Sequence, residues 1–158
     1  MKTLFVRILI MAGLALSAAA SYAAATEFVI RTARGQFEEV KERVMLAIEN
    51  RGLVLNYTAR VSDMLERTGK DIGRSRQVYA KAEVLEFCSA RLSRDAMEAD
   101  PRNLLLCPYA IAIYALPKEP GTVHVGYRKL GTGGAGQSRK ALRAVEKLMD
   151  DIVREALR

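Results

Sequence analysis

One short turn between two apolar segments constrains the fold of this chain more than any other feature. The segments YAIAIYALP (109–117) and TVHVGYRKL (122–130) are rich in β-branched and aromatic residues, and the residues KEPG join them. Pro120 presets one φ angle of a turn and Gly121 tolerates a positive φ, so this connection is typical of a β-turn. The sequence therefore predicts a β-hairpin here and, with it, an antiparallel sheet.

Two long amphipathic helices accompany this hairpin. In the segment 36–52, apolar residues recur at helical spacing on one face, and Gly52 suits the position that ends a helix. The segment 138–157 carries a continuous apolar stripe with steps of three and four residues. Such a stripe also suits a coiled coil, but at this length it is more typical of a helix that packs on the core of its own domain.

Shorter elements complete the predicted order. The patterns predict strands at 27–33, 53–61 and 76–87, a helical turn at 62–73, and a short helix at 89–100. With the turn at 62–73 left out, the order is β-α-β-β-α-β-β-α. We therefore expect a two-layer α+β domain whose mostly antiparallel sheet carries the two long helices on one face. The other face of the sheet is expected to be partly open to solvent.

The N-terminus has the pattern of a secretory signal peptide. A positively charged start precedes an apolar run at 8–20, and small residues suited to a signal peptidase follow. We expect cleavage after Ala23 or Ala25, which leaves a signal peptide (1–25) and a single α+β domain (26–158). An uncleaved anchor is the alternative, but the run is shorter than the roughly 18 residues that a membrane span needs. The protein is thus expected to be exported, to the periplasm if the envelope has two membranes and otherwise to the exterior.

Charge and motifs narrow the classes of function. The chain carries 25 Lys and Arg against 18 Asp and Glu, and two of the basic residues lie in the signal, which leaves a mature charge of +5. Because the basic residues mostly alternate with acidic ones, we do not expect a nucleic-acid partner, and a membrane surface is only a weak candidate. No nucleophile-base motif or covalent haem motif is present, so no catalytic residue and no cofactor is predicted.

Cys88 and Cys107 are the two cysteines of the chain. The first ends a predicted strand and the second precedes the next, so antiparallel strands would bring both to the same end of the sheet. In an oxidising compartment such a pair fits one structural disulfide. A redox-active dithiol is an alternative, although catalytic pairs usually have the closer C-x-x-C spacing. Two free buried thiols, or thiols used as ligands, are a further alternative.

A glycine-rich stretch precedes the last helix. Backbone N–H groups at the start of a helix favour anions. The candidate residues are Gly133, Gly134, Gly136 and Arg139. The stretch matches neither common phosphate-loop pattern, so a flexible link that lets the last helix fold back is the alternative interpretation.

Two weaker candidate sites remain. The segment 62–73 could cover the open sheet face as a lid and offer Met64, Arg67 and Asp71 to a ligand, although an ordinary surface turn is the simpler interpretation. His124 is the only histidine and a weak candidate for a metal ligand. Metal sites usually combine several His, Cys or carboxylate ligands, so no metal site is predicted.

Three stretches make the chain resemble the family described only as domain of unknown function DUF302. They are FEEVKERVMLAIENRGLVL, VYAKAEVLEFCSARLSRDAM and LLLCPYAIAIYAL, and the resemblance extends over residues 27–157. It implies a helix-on-sheet α+β fold akin to the TATA-binding-protein-like topology. It implies no activity and no catalytic residues. The cysteine pair indicates an exported subgroup of the family.

We therefore expect a non-catalytic exported domain that binds a small ligand or an envelope protein. Its sheet face, or a groove between sheet and helices, would provide the binding surface. The alternative is a thiol-redox or metal- or haem-associated accessory protein that uses Cys88, Cys107 and His124. An enzyme is the less favoured class, because no residue set forms a recognisable active site.

Overall fold

The computed structural model describes residues 28–130 and 135–158, and in them five strands are interspersed with four α-helices. The strands are β1 (Phe28–Arg34), β2 (Leu55–Arg60), β3 (Lys81–Phe87), β4 (Tyr109–Ala115) and β5 (Thr122–Arg128). The helices are α1 (Phe37–Glu49), α2 (Val61–Gly69), α3 (Ala90–Ala99) and α4 (Gly136–Ala156). A 3₁₀ turn, Pro101–Leu106, connects α3 to β4. The predicted α+β class is confirmed, and the predicted signal peptide (1–25) lies outside the described residues.

The five strands form one antiparallel sheet in the order β1-β5-β4-β3-β2. The predicted hairpin is confirmed, because β4 and β5 pair with Ile111 opposite Tyr127 and Ala115 opposite Val123. In its turn Gly121 has a φ of 72°, a left-handed conformation that glycine adopts at little cost. The N-terminal strand β1 pairs with β5 and so forms one edge of the sheet.

The core lies between one face of the sheet and the two long helices, as predicted. Successive residues of a strand point to opposite faces, so every second strand residue faces the helices. The buried residues of β4 and β5 on this side include Ile111, Ile113, Val123 and Val125. The buried stripes of α1 and α4 include Val40, Val44, Ile48, Leu142, Val145, Met149 and Ile152. The predicted apolar stripes of the two helices are thus their buried faces.

Among the described residues, ion pairs connect the sheet to both of these helices. Arg31 on β1 contacts Asp150 on α4, with 2.9 Å between Nη2 and Oδ1. Lys41 on α1 contacts Glu83 on β3, with 3.2 Å between Nζ and Oε2, and Glu83 is only 4% exposed. A buried carboxylate needs such a partner, because an unpaired charge in the interior is costly.

The structure corrects two predicted boundaries. The third strand begins at Lys81 rather than at residue 76, because its neighbours end there: Lys81 pairs with Ala115 and Glu83 with Arg60, the last residues of β4 and β2. Before it, Ala80 N–H still donates to the Ala115 carbonyl over 2.9 Å, but residues 76–80 form no strand. The predicted helical turn at 62–73 is the nine-residue helix α2, which follows β2 directly. It adds one helix to the predicted order.

Among the described residues, no helix combines the length and the apolar character that crossing a bilayer requires.

Candidate functional site

An apolar groove of about 350 Å³ follows the sheet face opposite the two long helices, and its lining extends to Met149 of α4. Its centre is a row of paired residues across four strands. Gly126 on β5 lies opposite Ile30 on β1 and opposite Ala112 on β4, and Ala112 lies opposite Val84 on β3. All four residues line the groove. Because the two middle positions have a methyl group or no side chain, the centre of the sheet is lower than its flanks.

The close approach of β1 to β5 requires a glycine at position 126. A Cβ atom built on Gly126 would lie 2.6 Å from the carbonyl oxygen of Val29 and 3.1 Å from Cγ1 of Ile30. The first of these contacts is with backbone and cannot be relieved by a side-chain rotation. The glycine therefore lets β1 pair with β5 and leaves room for the groove.

Two large apolar residues of β1 are exposed at the β1 end of this row. The side chains of Phe28 and Ile30 are 59% and 53% exposed, and both line the groove. A single exposed apolar residue is ordinary, but a contiguous apolar surface on a sheet face indicates an interaction site. The open face predicted from the sequence therefore carries exposed large apolar side chains beside a row of small ones.

Arg128 supplies the positive charge of the groove. Of the described residues that line it, Arg128 is the only charged one. Its side chain is exposed and forms no ion pair or hydrogen bond with any residue in the described ranges. An unpaired guanidinium beside an apolar surface can donate hydrogen bonds to a carboxylate, sulfonate or phosphate group of a ligand.

An aromatic cluster borders the groove at Tyr114. The rings of Tyr114 and His124 are stacked, with centroids 4.6 Å apart and planes 6° from parallel. Tyr79 meets Tyr114 edge to face at 5.6 Å. His124 Nε2 lies 2.8 Å from Oε2 of Glu119, and burial raises the pKa of Tyr114. The cluster fixes the orientation of the tyrosine that lines the groove.

The structure thus places His124, the weak metal candidate, in an aromatic stack with one carboxylate beside it. Within the described residues, no group of three or more His, Cys, Asp or Glu side chains is arranged to hold a metal ion.

The two cysteines lie together near the opposite end of the groove. Cys88 follows β3 directly, and Cys107 follows the 3₁₀ turn, two residues before β4. Because Phe87 pairs with Tyr109 at the end of β3 and β4, both cysteines reach the same end of the sheet. Their Sγ atoms are 3.1 Å apart, about 1 Å farther than in a disulfide bond. The residues are therefore adjacent but not bonded in this structure.

Burial controls the chemistry of this pair. Burial, with a smaller contribution from the neighbouring Cys107 thiol, raises the pKa of Cys88 to about 11. At neutral pH the Cys88 thiolate is therefore scarce, which makes this sulfur a weak nucleophile.

The segment around Cys107 also forms part of the groove. Leu106 and Pro108, the residues on either side of Cys107, both line it. The preceding residues Leu104 and Leu105 are 62% and 84% exposed. The cysteine pair and the apolar groove are thus adjacent parts of one site.

The other predicted candidates lie elsewhere. Met64 and Arg67 line a separate shallow cleft with Tyr57 at the β2 edge, and this cleft shares no described lining residue with the groove. The Ser62 hydroxyl, at the start of α2, lies 3.4 Å from the carbonyl oxygen of Ala82, which it can donate to. Asp71 follows α2 in an exposed turn.

The glycine-rich candidate is only partly described. Gly133 and Gly134 lie outside the described residues, and Gly136 and Arg139 lie in the first turn of α4. The described neighbour Ser138 accepts a hydrogen bond of 2.9 Å from the side chain of Asn103. This contact connects the start of α4 to the 3₁₀ turn beside the groove.

The groove itself was not predicted residue by residue. Phe28, Ile30, Ala112, Gly126 and Arg128 all line it, and none of them is among the residues predicted from the sequence. One signal was available: three outward positions of the hairpin hold the small residues Ala110, Ala112 and Gly126, where solvent-facing strand positions usually hold longer polar ones.

Comparisons with known proteins agree with this fold. The family model described as "Domain of unknown function DUF302" matches residues 29–156. A crystal structure titled as an uncharacterized conserved protein DUF302 from Bacillus stearothermophilus is similar, with a TM-score of 0.70 at 16% identity, and the match covers 85% of this chain and 100% of that chain. At this identity the likeness shows the fold alone. No curated protein matches the chain.

Proposed function

Because this chain belongs to the DUF302 family, whose description names no activity, we propose a function from the groove: it binds a small amphipathic molecule. The ligand class is an apolar body, aromatic or aliphatic, that carries one anionic group. The proposal rests on one observation. The exposed side chains of Phe28 and Ile30 lie beside a groove floor formed by the small residues Ala112 and Gly126.

The size and lining of the groove support a small ligand. Its volume of about 350 Å³ lies at the lower end of the range of about 300–1,000 Å³ that is typical of ligand pockets. Apolar and aromatic residues dominate the lining, as in other small-molecule sites. Covering Phe28 and Ile30 would remove apolar surface from water, which favours binding by about 25 cal/mol for each Å² buried.

The position of Arg128 supports an anionic group on the ligand. A guanidinium offers several N–H donors in one plane and suits a carboxylate or sulfonate. Hydrogen bonds to charged groups contribute about 1.5–3 kcal/mol, with the lower end expected for an exposed group such as this one. The described lining residues include no nucleophile next to a base, so we propose binding without catalysis.

Two related dyes test this function. Anilinonaphthalene sulfonate combines an aromatic body with one anionic group, and phenylnaphthylamine has the same kind of body without the charge. We expect the purified protein to bind both, and Ala112→Leu to weaken both by about tenfold or more because it fills the floor of the groove. Equal binding of both dyes by the wild type and by Ala112→Leu would contradict the proposal.

The charge is tested separately. Arg128→Gln should weaken binding of the sulfonate by about tenfold, from the loss of one charge-assisted hydrogen bond, and leave the neutral dye unaffected. The matched control is Lys129→Gln, the adjacent exposed lysine that does not line the groove. Unchanged thermal unfolding of each variant excludes dye binding to a partly unfolded state.

We further propose that the protein is exported and that Cys88 and Cys107 are joined by a disulfide after export. The signal pattern at residues 1–25 supports export, and the 3.1 Å between the sulfurs supports their pairing. Intact mass of the protein from its native compartment should be lower by two hydrogens than after reduction. Its first residue should be Ala24 or Thr26. A protein that keeps residue 1, or whose thiols label fully without reductant, contradicts this part.

A thiol-redox accessory function is the second candidate, favoured by the same sulfur distance. It ranks lower because the raised pKa of Cys88 leaves little thiolate at neutral pH. Rapid exchange of the pair with a small-molecule disulfide at pH 7 would support it over the binding function. The metal- or haem-associated form of this candidate has no supporting donor cluster among the described residues.

A further inference from the structure

We propose that Cys88 and Cys107 are an oxidation site that controls the groove: their disulfide holds the groove wall in place, and its reduction weakens ligand binding. This inference rests on the proposed function, because it assigns a regulation to the same groove. It goes beyond a disulfide that only stabilises the fold.

Cys107 lies within the groove wall. Leu106 and Pro108 line the groove on either side of it, so any constraint on Cys107 acts on both. Its partner Cys88 follows the interior strand β3 directly. A bond between the sulfurs would therefore join the groove wall to the rigid part of the sheet.

Few buried contacts hold the wall, although Leu106 packs partly against the core and Asn103 is hydrogen-bonded to α4. No residue of the 3₁₀ turn Pro101–Leu106 is fully buried. Its backbone contacts are short-range, with Cys107 N donating to the Leu104 carbonyl over 3.1 Å. The side chain of Asn103 holds the start of the turn through the Ala96 carbonyl at 2.7 Å. Segments with few buried contacts open most easily, so the end of this turn is where a covalent tether has the largest effect.

Forming the disulfide needs little movement of the two cysteines. The sulfurs have to approach by about 1 Å to reach bonding distance. The oxidant is a disulfide, either a small molecule such as oxidised glutathione or a thiol oxidoreductase. One cysteine thiolate attacks the oxidant disulfide to give a mixed disulfide, and the second cysteine displaces the oxidant's remaining thiol. The two cysteines lose two electrons and two protons, and the oxidant becomes two thiols.

Binding measured in both redox states tests this inference. The purified protein is fully oxidised or fully reduced, its state is checked by intact mass, and both naphthalene dyes are titrated. We expect the reduced protein to bind both dyes about tenfold more weakly, because part of the binding energy is then used to order the wall. The variant Cys88→Ser/Cys107→Ser should bind like the reduced protein in both conditions. Ala112→Leu is expected to bind weakly in both states.

The outcomes separate this inference from the proposed function. Detectable groove binding with equal or higher affinity in the reduced protein overturns the redox control and leaves the binding function intact. If neither redox state shows dye binding that Ala112→Leu weakens, the binding function is overturned.

Hydrogen exchange of the wild-type protein is a second test, and it does not require that a variant folds. Hydrogen exchange of the wild-type peptide covering 101–108 should accelerate on reduction, while exchange in β5 stays unchanged. Equal exchange of this peptide in both states contradicts a tethered wall.

Discussion

The two faces of the same sheet follow opposite rules, and the contrast is sharpest on β4. Ile111 and Ile113 face the long helices and are fully buried, whereas Ala110 and Ala112, which alternate with them, face the open groove. In this part of the strand one side thus holds large branched residues, and the other holds methyl groups. The large residues of the helix face pack in the core and stabilise the fold, whereas the small residues of the open face leave room for the groove.

Charged residues show the same contrast. On the helix face Arg31 is paired with Asp150, while on the open face Arg128 has no partner in the described ranges. Charges that stabilise a fold are paired in the native state, and a charge that meets a ligand has to stay available. Substitutions on the two faces should therefore separate stability from binding.

The largest expected effect is on the helix face. Ile111→Ala should lower the free energy of unfolding by about 2–5 kcal/mol, because it creates a cavity at a fully buried position. The matched variant on the open face, Ile30→Ala, should change it by less than about 0.5 kcal/mol, because Ile30 is 53% exposed. Urea unfolding of both variants measures the difference. Similar losses for the two would remove the distinction between the faces.

Gly126→Ala is expected to have the second largest effect. Its new methyl group would meet the Val29 carbonyl at 2.6 Å, so β1 has to shift at a cost of about 1–3 kcal/mol. Thermal unfolding, together with hydrogen exchange in β1, measures this. Ala112→Ser, at the paired position with an open neighbourhood, is the control and should leave β1 protected. A Gly126→Ala protein as stable as the wild type would show that β1 does not approach β5 this closely.

A smaller effect is expected for Asp150. Burial by itself raises the pKa of Asp150, but hydrogen bonds from Arg31 and Arg154 outweigh it and hold the pKa below its usual value. A lowered native pKa contributes stability that is present above the unfolded-state pKa and is lost as the pH falls through the native one. Asp150→Asn should therefore cost about 0.5–1 kcal/mol at pH 7, since the pair is partly exposed.

The cost of Asp150→Asn should shrink as the pH falls below the ordinary aspartate value of about 3.9. Asp151→Asn, which breaks only an exposed pair with Lys147, is the matched control and should change little at any pH. A cost for Asp150→Asn that is constant from neutral to acidic pH would argue against the ion pair.

The smallest expected effect on stability is that of Arg128→Gln. Because Arg128 is exposed and unpaired in the described ranges, the free energy of unfolding should change by less than about 0.5 kcal/mol. The same substitution should lower the affinity for an anionic dye, as described above. Chemical unfolding and dye titration of one sample test both statements. A marked loss of stability would mean that Arg128 supports the fold and not a ligand.

Much of the fold was predictable because it depends on residues close in sequence. The hairpin depends on Pro120 and Gly121 between two alternating segments, and the long helices depend on the spacing of apolar residues. The adjacency of Cys88 and Cys107 followed from one further step, the antiparallel pairing of the strands beside them. The overlong third strand was an error of the same local method, since strand ends are set by where the neighbouring strands stop.

The sequence by itself determined the α+β class, the hairpin and the two helices that bury the core, because periodicity and turn chemistry act over a few residues. Only the tertiary structure decided the groove. It unites Phe28 and Ile30 of the first strand with Gly126 and Arg128 of the last, and these meet because β1 pairs with β5. No local pattern encodes which distant strands become neighbours, since that choice minimises the free energy of the whole sheet.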